Sequence, residues 1–160
     1  MASVLFIGFL IVQRLTELMI ARRNTRRLLA RGAVEHGAAH YPLIVALHAS
    51  WLAAIALFGL GHPVHPFWLA VFVLLQCLRV WILATLGPRW TTRIIVTGEP
   101  LVRRGPFRFL RHPNYALVVA EIFVAPMVLG LVGVALVFTL LNALVLAIRI
   151  RAENAALYGR

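Results

Sequence analysis

The sequence predicts an all-α, polytopic membrane bundle, and three observations lead to that fold class. The chain of 160 residues is 62% hydrophobic, and its mean hydropathy of +0.90 lies far above that of soluble domains. Its apolar residues gather in five long segments, and its basic residues are all arginines, most of which lie at the ends of those segments. We therefore expect about five transmembrane helices in a single domain over residues 1–160.

Each of the five apolar segments is about long enough to cross a hydrocarbon core of roughly 30 Å as a helix. The last two are separated by little more than Gly130, so we expect them to form a helical hairpin. In chain order the predicted spans are Val4–Ala21, Tyr41–Leu60, Phe67–Leu86, Asn114–Leu129 and Leu131–Ile150.

The placement of the arginines predicts the orientation of the bundle. Arginines follow the first span, fill the loop between the third and fourth spans, and end the chain, whereas the loop over residues 61–66 has none. Because cytoplasmic loops carry an excess of Lys and Arg, the N-terminus is expected outside and the C-terminus in the cytoplasm. The same placement explains the net charge of +11 without a nucleic-acid partner, and we expect none.

Ionisable side chains inside the spans are costly and are therefore candidates for function. In the predicted orientation they all lie within roughly two helical turns of the cytoplasmic ends, so the polar interior opens toward that leaflet. Arg14 and Glu17 can pair on one helix face. Glu121 can pair with Arg79 or Arg149, and such pairs can equally serve only to hold helices together. The residues in question are Arg14, Glu17, His48, Arg79 and Glu121.

The loop from Gly87 to Arg111 is too long and too rich in Gly, Pro and Arg to be a simple connector, and we expect function there. It leads into the pentapeptide Arg-His-Pro-Asn-Tyr at residues 111–115. Pro113 suits the first turn of a helix, which puts His112 at the cap and Tyr115 just inside. This cationic, aromatic corner can hold a polar cofactor beside a lipid, or it can serve only as a charged anchor.

No metal site is expected from the histidines and the cysteine. His36 and His40 are spaced four apart but lack a third ligand in a recognised pattern. Cys77 is the single cysteine and lies in an apolar span. The sequence also lacks a phosphate-cradling glycine loop and a dinucleotide fingerprint, so a cofactor would have to be held in another way.

Two segments carry a resemblance to a known family. Gly98–Tyr115 reads Gly-Glu-Pro-Leu-Val-Arg-Arg-Gly-Pro-Phe-Arg-Phe-Leu-Arg-His-Pro-Asn-Tyr, and Arg149–Leu157 reads Arg-Ile-Arg-Ala-Glu-Asn-Ala-Ala-Leu. Together they resemble the isoprenylcysteine carboxyl methyltransferase family of integral membrane enzymes, which use S-adenosylmethionine. The region from Arg14 to His48, with its Arg-Arg-Asn and His-Tyr-Pro elements, is similar to a bacterial branch that includes O-methyltransferases of long-chain alkylpyrones or alkylresorcinols. The resemblance implies an integral protein of a bacterial cell membrane, with its active site facing the cytoplasm.

The resemblance also implies the site residues. The substrate carboxylate contact falls on Arg149, and the cofactor site is formed by the loop over residues 87–113 and the helix end over residues 149–160. The implied cofactor contacts are Leu101, Val102, Phe107, His112, Pro113, Asn114, Tyr115 and Glu153.

Three positions depart from the family's pattern. Glu99 stands in place of a histidine, Phe107 in place of a tyrosine, and Asn154 in place of the second acid of an Arg-x-x-x-Glu-Glu motif. The departures at Glu99 and Asn154 weigh against a strict prenylcysteine substrate more than they weigh against methyl transfer.

The chemistry of these residues is consistent with methyl transfer. Arg149 and Glu153 are four apart and share one helix face, so Glu153 can bond an ammonium or ribose hydroxyl while Arg149 forks onto an oxyanion. Transfer to a carboxylate or acidic enol needs mainly alignment and exclusion of water. A neutral phenol needs a base, for which Glu121 or His112 could serve. We therefore assign Arg149 and Glu121 as catalytic residues.

The sequence thus predicts a membrane-embedded, S-adenosylmethionine-dependent O-methyltransferase. Its expected partner is a lipid acceptor, either a prenylcysteine-like carboxylate or a long-chain polyketide or phenol, reached from the cytoplasmic leaflet. One alternative is N-methylation of a phospholipid amine, because those enzymes share the Arg-His-Pro-x-Tyr corner, although a carboxylate-binding Arg149 argues against a cation. Another is a scaffold without chemistry, whose polar residues would span both leaflets. The oligomeric state is left open.

Overall fold

A computed structural model of the chain, described for residues 1–158, contains five α-helices and one small sheet. The all-α fold class and the five predicted segments are confirmed, although the first and last helices extend several residues further into their polar flanks. Gly159 and Arg160, at the end of the predicted cofactor-binding helix, lie outside the described residues. The helices are α1 (Ala2–Leu29), α2 (Tyr41–Gly59), α3 (Pro66–Leu86), α4 (Pro113–Val128) and α5 (Val132–Tyr158), and the strands are β1 (Val34–His36) and β2 (Ile94–Val96).

Four helices in the described part of the chain are long and apolar enough to cross a membrane, namely α1, α2 with its preceding turn, α3 and α5. The chain is therefore an integral membrane protein. Helix α4 is also apolar, but its 16 residues extend only about 24 Å along the axis. Helix α1 has 28 residues and carries Arg26 and Arg27 in its last turn, where long basic side chains can reach water.

The core of the bundle forms around α4, which packs between α3 and α5. One proline in α4 determines a contact there. Pro126 has no N–H to donate, so the carbonyl of Ile122, one turn earlier, loses its helical partner. The indole N–H of Trp51 in α2 donates to that carbonyl at 3.2 Å. Both groups are fully buried, and this one bond pairs the donor and the acceptor.

The predicted hairpin between the last two helices is present. Gly130 has φ +69°, in the left-handed region that favours glycine, and its N–H donates to the carbonyl of Met127 at 3.0 Å. The N–H of Leu131 donates to Pro126 at 3.0 Å. The turn therefore ends α4 and reverses the chain within three residues, which places the C-terminal end of α5 beside the start of α4.

The two-stranded sheet was not predicted from the sequence. Strand β1 follows α1 and pairs antiparallel with β2, with Val34 opposite Val96 and His36 opposite Ile94. The side-chain amide of Asn24, near the end of α1, donates to the carbonyl of Trp90 at 2.9 Å. The sheet and this amide together tie the loop before α4 to the chain segment after α1.

Cysteine labelling tests the predicted orientation of the bundle in the membrane. In cells carrying Cys77→Ser, we expect Pro63→Cys to react with an impermeant maleimide added outside, because its loop lacks arginines and is exposed. We expect Arg104→Cys, in the arginine-rich loop, to react only after permeabilisation. The opposite pattern would reverse the predicted orientation and put the arginine-rich loop on the outer side.

Candidate functional site

A cavity of about 630 Å³ lies where the loop before α4 meets the start of α4 and the end of α5. Its volume falls within the range of about 300–1,000 Å³ that is usual for small-molecule sites. The structure brings most of the predicted site residues to this cavity, whereas Pro113 and Glu121 are not part of its wall. Predicted residues that line it are Leu101, Val102, Phe107, His112, Asn114, Tyr115, Arg149 and Glu153.

The corner that the sequence singled out forms one wall of the cavity. Helix α4 begins at Pro113, as expected from the residue type, and Pro113 itself is buried. The rings of His112 and Tyr115 stack on the inner side, with centroids 5.3 Å apart and planes inclined by 23°. Pro113 therefore contributes by starting the helix, while His112 and Tyr115 line the cavity.

Three side chains from α4 and α5 are bonded to one another at the base of this corner. The hydroxyl of Tyr115 donates to the carboxylate of Glu153. Arg149 Nε donates to the same hydroxyl at 2.8 Å, and Arg149 Nη2 donates to the backbone carbonyl of Thr92 at 2.8 Å. Because Arg149 and Glu153 lie one turn apart on α5, a single tyrosine holds both in a fixed relation.

Two buried polar atoms in the wall at the start of α4 lack partners in the part of the chain that the structure describes, as does Nε1 of Trp90 elsewhere in the wall. The two at the start of α4 are Nε2 of His112 and Oδ1 of Asn114. The other ring nitrogen of His112 lies 3.9 Å from Glu153 Oε1. Buried polar atoms are nearly always hydrogen-bonded in folded proteins. The two atoms are thus suited to bind a polar ligand within the cavity.

A glycine holds the loop against α3. Gly105 has φ +57°, and a Cβ atom there would lie 2.6 Å from Oγ1 of Thr85. Only glycine permits both the backbone angle and this close approach. This close approach brings the turn that contains Phe107 beside the end of α3. Phe107 then forms the apolar part of the cavity wall together with Leu101 and Val102.

The charge around the cavity is strongly positive. A single carboxylate, Glu153, stands among the cavity-lining residues against several guanidinium groups. Fields from clustered charges of one sign raise the local concentration of ligands of the opposite sign. The arginines that line the cavity are Arg89, Arg93, Arg103, Arg108, Arg111 and Arg149.

Glu121 lies apart from this cavity. It is fully buried, and it follows Tyr115 by six residues, or about 9 Å along the helix axis. Its Oε2 accepts from Arg14 at 2.6 Å, and its Oε1 accepts from Arg79 Nε at 2.7 Å. Both oxygens of the carboxylate are therefore occupied by arginines, and this position gives no support to a role for Glu121 as a base at the cavity.

Glu121 belongs instead to a balanced ionic network, which we call the interior network and define as Arg14, Glu17, Arg79 and Glu121. The predicted pair of Arg14 and Glu17 is present at 3.0 Å, and Arg79 reaches Glu17 at 3.3 Å. The network connects α1, α3 and α4 and carries no net charge. This arrangement agrees with the interpretation of these residues as links between helices. His48 bonds the carbonyl of Ile44 in its own helix at 2.9 Å.

The segment that follows α1 also contributes to the site, which was not predicted from the sequence. The hydroxyl oxygens of Tyr41 and Thr92 lie 3.1 Å apart, and Thr92 in turn holds Arg149 through its carbonyl. The β-branched run Ile94–Val96 was a signal for one strand of the sheet. No comparable pattern marks the partner strand, Val34–His36, because three residues are too few to show an alternation.

Comparison with known proteins agrees with the sequence motifs. Residues 68–159 match the isoprenylcysteine carboxyl methyltransferase (ICMT) family. The chain is 38% identical over 159 residues to the uncharacterized protein YpbQ of Bacillus subtilis (strain 168), covering 96% of this chain and 95% of that protein. It is 27% identical over 151 residues to an uncharacterized protein of Haemophilus influenzae, covering 90% of this chain and 88% of that protein.

No solved structure matches the chain at a significant level. The segment that matches the family contains α4, α5 and the loop that lines most of the cavity. It covers more than half of the sequence, and the relative from Bacillus subtilis extends the similarity over nearly the whole chain. The chain therefore belongs to the isoprenylcysteine carboxyl methyltransferase family of membrane methyltransferases.

Proposed function

We propose that this protein transfers a methyl group from S-adenosylmethionine to an acidic oxygen of a lipid. The acceptor is a prenylcysteine-like carboxylate or the enol or phenol of a long-chain polyketide, reached from the cytoplasmic leaflet. The observation that carries the proposal is the cavity at the start of α4. There, the unpartnered polar atoms of His112 and Asn114 and the Tyr115–Arg149–Glu153 cluster line one space in a chain of a methyltransferase family.

The residues of the cavity fit the cofactor. The carboxylate of Glu153 suits its ammonium group or a ribose hydroxyl, and the unpartnered atoms of His112 and Asn114 offer further directional bonds. Leu101 and Val102 supply an apolar surface for the adenine. When bound, S-adenosylmethionine supplies an electrophilic methyl group, which an acceptor oxygen takes as the carbon–sulfur bond breaks and its electron pair stays on sulfur.

Arg149 is proposed to hold the acceptor oxygen. Two of its nitrogens, Nε and Nη2, are committed to Tyr115 and Thr92. Its third nitrogen, Nη1, has no hydrogen-bond partner among the side chains that the structure describes, and Arg149 lines the cavity. A guanidinium group fixed at two points presents its remaining N–H groups in a defined direction. Such a group can align an oxyanion for displacement at the methyl carbon.

The charge of the cavity favours an acidic oxygen over an amine. A phospholipid amine is cationic near neutral pH, and the arginines of the cavity wall would raise the cost of bringing it in. A carboxylate or enolate is attracted by the same arginines and arrives already deprotonated. A neutral phenol has to give its proton to a base, and His112 in the cavity wall is the candidate for that role. Glu121 has no part in the proposed reaction, because its carboxylate is paired with arginines away from the cavity.

A methyl-transfer assay tests the proposed function. Purified protein in lipid nanodiscs would be incubated with methyl-labelled S-adenosylmethionine and four probes: farnesylcysteine, a long-chain alkylpyrone, a long-chain alkylresorcinol and phosphatidylethanolamine. A parallel sample would contain an extract of native membranes. We expect a methyl ester or ether on an acidic probe, identified by mass spectrometry. Methylated phosphatidylethanolamine would favour the amine alternative, and no transfer even to the native extract would contradict enzymatic activity.

Replacement of His112 by alanine should weaken binding of S-adenosylmethionine. Loss of one hydrogen bond to a charged ligand costs about 1.5–3 kcal/mol, which is roughly ten- to hundredfold in affinity. Isothermal titration calorimetry in one detergent measures the effect. His65→Ala, at the opposite end of the bundle beside Gly130, serves as the control and should bind like the wild type. Wild-type affinity in His112→Ala would mean that the corner is only a charged anchor.

A further inference from the structure

The segment from Val34 to Tyr41, which we call the strap, lies against Arg149. Glu35, Tyr41, Arg93 and Arg149 line the same small cleft there. The strap precedes the part of the chain that matches the family, which begins at residue 68. Its contribution to the site is thus an observation of this structure and not part of the family match.

A chain of two hydrogen bonds connects the strap to Arg149. The hydroxyl of Tyr41 lies 3.1 Å from Oγ1 of Thr92, and the carbonyl of Thr92 accepts from Arg149 Nη2 at 2.8 Å. Tyr41 is also the first residue of α2, so its backbone is part of a rigid helix that packs against α5. The hydrogen bond to Tyr41 therefore restrains Thr92, whose backbone carbonyl accepts the hydrogen bond from the guanidinium of Arg149.

The neighbouring residue is held by the same strap. The guanidinium of Arg93 lies 4.2 Å from the centroid of the Tyr41 ring and reaches Glu35 Oε1 at 2.5 Å. Glu35 stands opposite Ile95 in the sheet, and Arg93 precedes Ile95 by two residues, so the ion pair joins diagonal neighbours on one face. Strap residues thus fix the side chains of two consecutive residues, Thr92 and Arg93, directly beside Arg149.

We infer that Tyr41 is a positioning residue, which holds Thr92 so that its carbonyl fixes the guanidinium of Arg149, while Glu35 holds the adjacent Arg93. The inference rests on the proposed role of Arg149 toward the acceptor. With Nε bonded to Tyr115 and Nη2 bonded to Thr92, the plane of the guanidinium is set from both sides. Release of Thr92 leaves Arg149 attached through Tyr115 alone, and the direction of its Nη1 group is then no longer determined.

Two conservative variants break the same hydrogen bond from its two ends. Tyr41→Phe keeps the ring against Arg93 and loses the hydroxyl, whereas Thr92→Val keeps the backbone carbonyl and loses Oγ1. We expect each to lower the single-turnover rate of methyl transfer to the acidic probes roughly ten- to hundredfold, with unchanged affinity for S-adenosylmethionine. The double variant should be no slower than the slower single variant, because both changes remove one shared bond. Thr16→Val, whose exposed hydroxyl bonds only its own helix, is the matched control and should behave as wild type.

A second measurement needs no turnover. In protein with nitrogen-15 arginine, a guanidinium bonded on both sides rotates slowly and gives separate Nη signals, which Arg149→Lys identifies by their loss. We expect these signals to merge in Tyr41→Phe and to stay separate in Thr16→Val. Additive rate losses in the double variant, separate signals in Tyr41→Phe, or lower cofactor affinity in either single variant would overturn the inference. An inactive wild type whose signals merge in Tyr41→Phe and stay separate in Thr16→Val would contradict the proposed reaction and leave the restraint of Arg149 established.

Discussion

Replacement of Glu121 by alanine is expected to lower the free energy of unfolding by about 3–5 kcal/mol. The carboxylate is fully buried and pairs with Arg14 and Arg79, so its removal leaves two arginines against the single carboxylate of Glu17. An uncompensated charge inside an apolar bundle is among the most costly changes a membrane helix can undergo. Unfolding by sodium dodecyl sulfate in mixed micelles, followed by circular dichroism, measures the loss.

A matched control and a more conservative variant sharpen this test. Glu99 is 64% exposed and lies 3.6 Å from Arg89, so Glu99→Gln should cost below about 1 kcal/mol, as exposed ion pairs do. Glu121→Gln keeps the volume of the side chain but loses its charge, and it should still destabilise the bundle. If Glu121→Gln unfolds like the wild type but transfers no methyl group, the assignment of Glu121 as a catalytic residue would stand and the structural role would fail.

The second large effect is expected at the C-terminal end of α5, where Arg149 and Glu153 have separate proposed roles. Arg149→Lys keeps a positive charge but loses the planar fork that reaches Tyr115 and Thr92. It should lower the rate of methyl transfer on the order of a hundredfold, with cofactor affinity nearly unchanged. Glu153→Gln should instead weaken S-adenosylmethionine binding roughly ten- to hundredfold and keep some turnover at saturating cofactor.

Binding constants and single-turnover rates for both variants, measured in one detergent, separate these roles. Arg151→Lys is the control, because Arg151 is exposed on the same helix and is not part of the cavity wall. A general defect of the helix end would change both variants alike. Normal turnover in Arg149→Lys together with a collapse of cofactor binding would show that Arg149 contacts the cofactor and not the acceptor.

Much of the fold follows from properties that single segments carry by themselves. The length and apolarity of α2 and α3 predict their bounds closely, because the cost of exposing a backbone to lipid makes an apolar stretch of that length helical. The start of α4 at Pro113 follows from the fixed φ of proline and its missing N–H. The hairpin at Gly130 follows from the single break between two apolar runs.

For the candidate site, too, part of the arrangement follows from the sequence and part does not. The sequence by itself determined which residues gather near the start of α4, because His112, Asn114 and Tyr115 are adjacent in the chain. It also determined that Arg149 and Glu153 share a face of α5. The sequence could not show that Tyr115 bonds both of them, since that contact depends on how α4 and α5 are rotated about their axes.

Only the tertiary structure decided what the remaining polar residues do. Arg14 and Glu121 are separated by 107 positions, and their pairing required α1 to pass beside α4 at the right depth. The place of Tyr41 against Thr92 likewise depended on a sheet whose first strand has three residues and no recognisable pattern. The physical reason is common to both cases. Local sequence determines which side chains share a helix face, whereas contacts between distant elements depend on how helices pack, and many sequences can satisfy that packing.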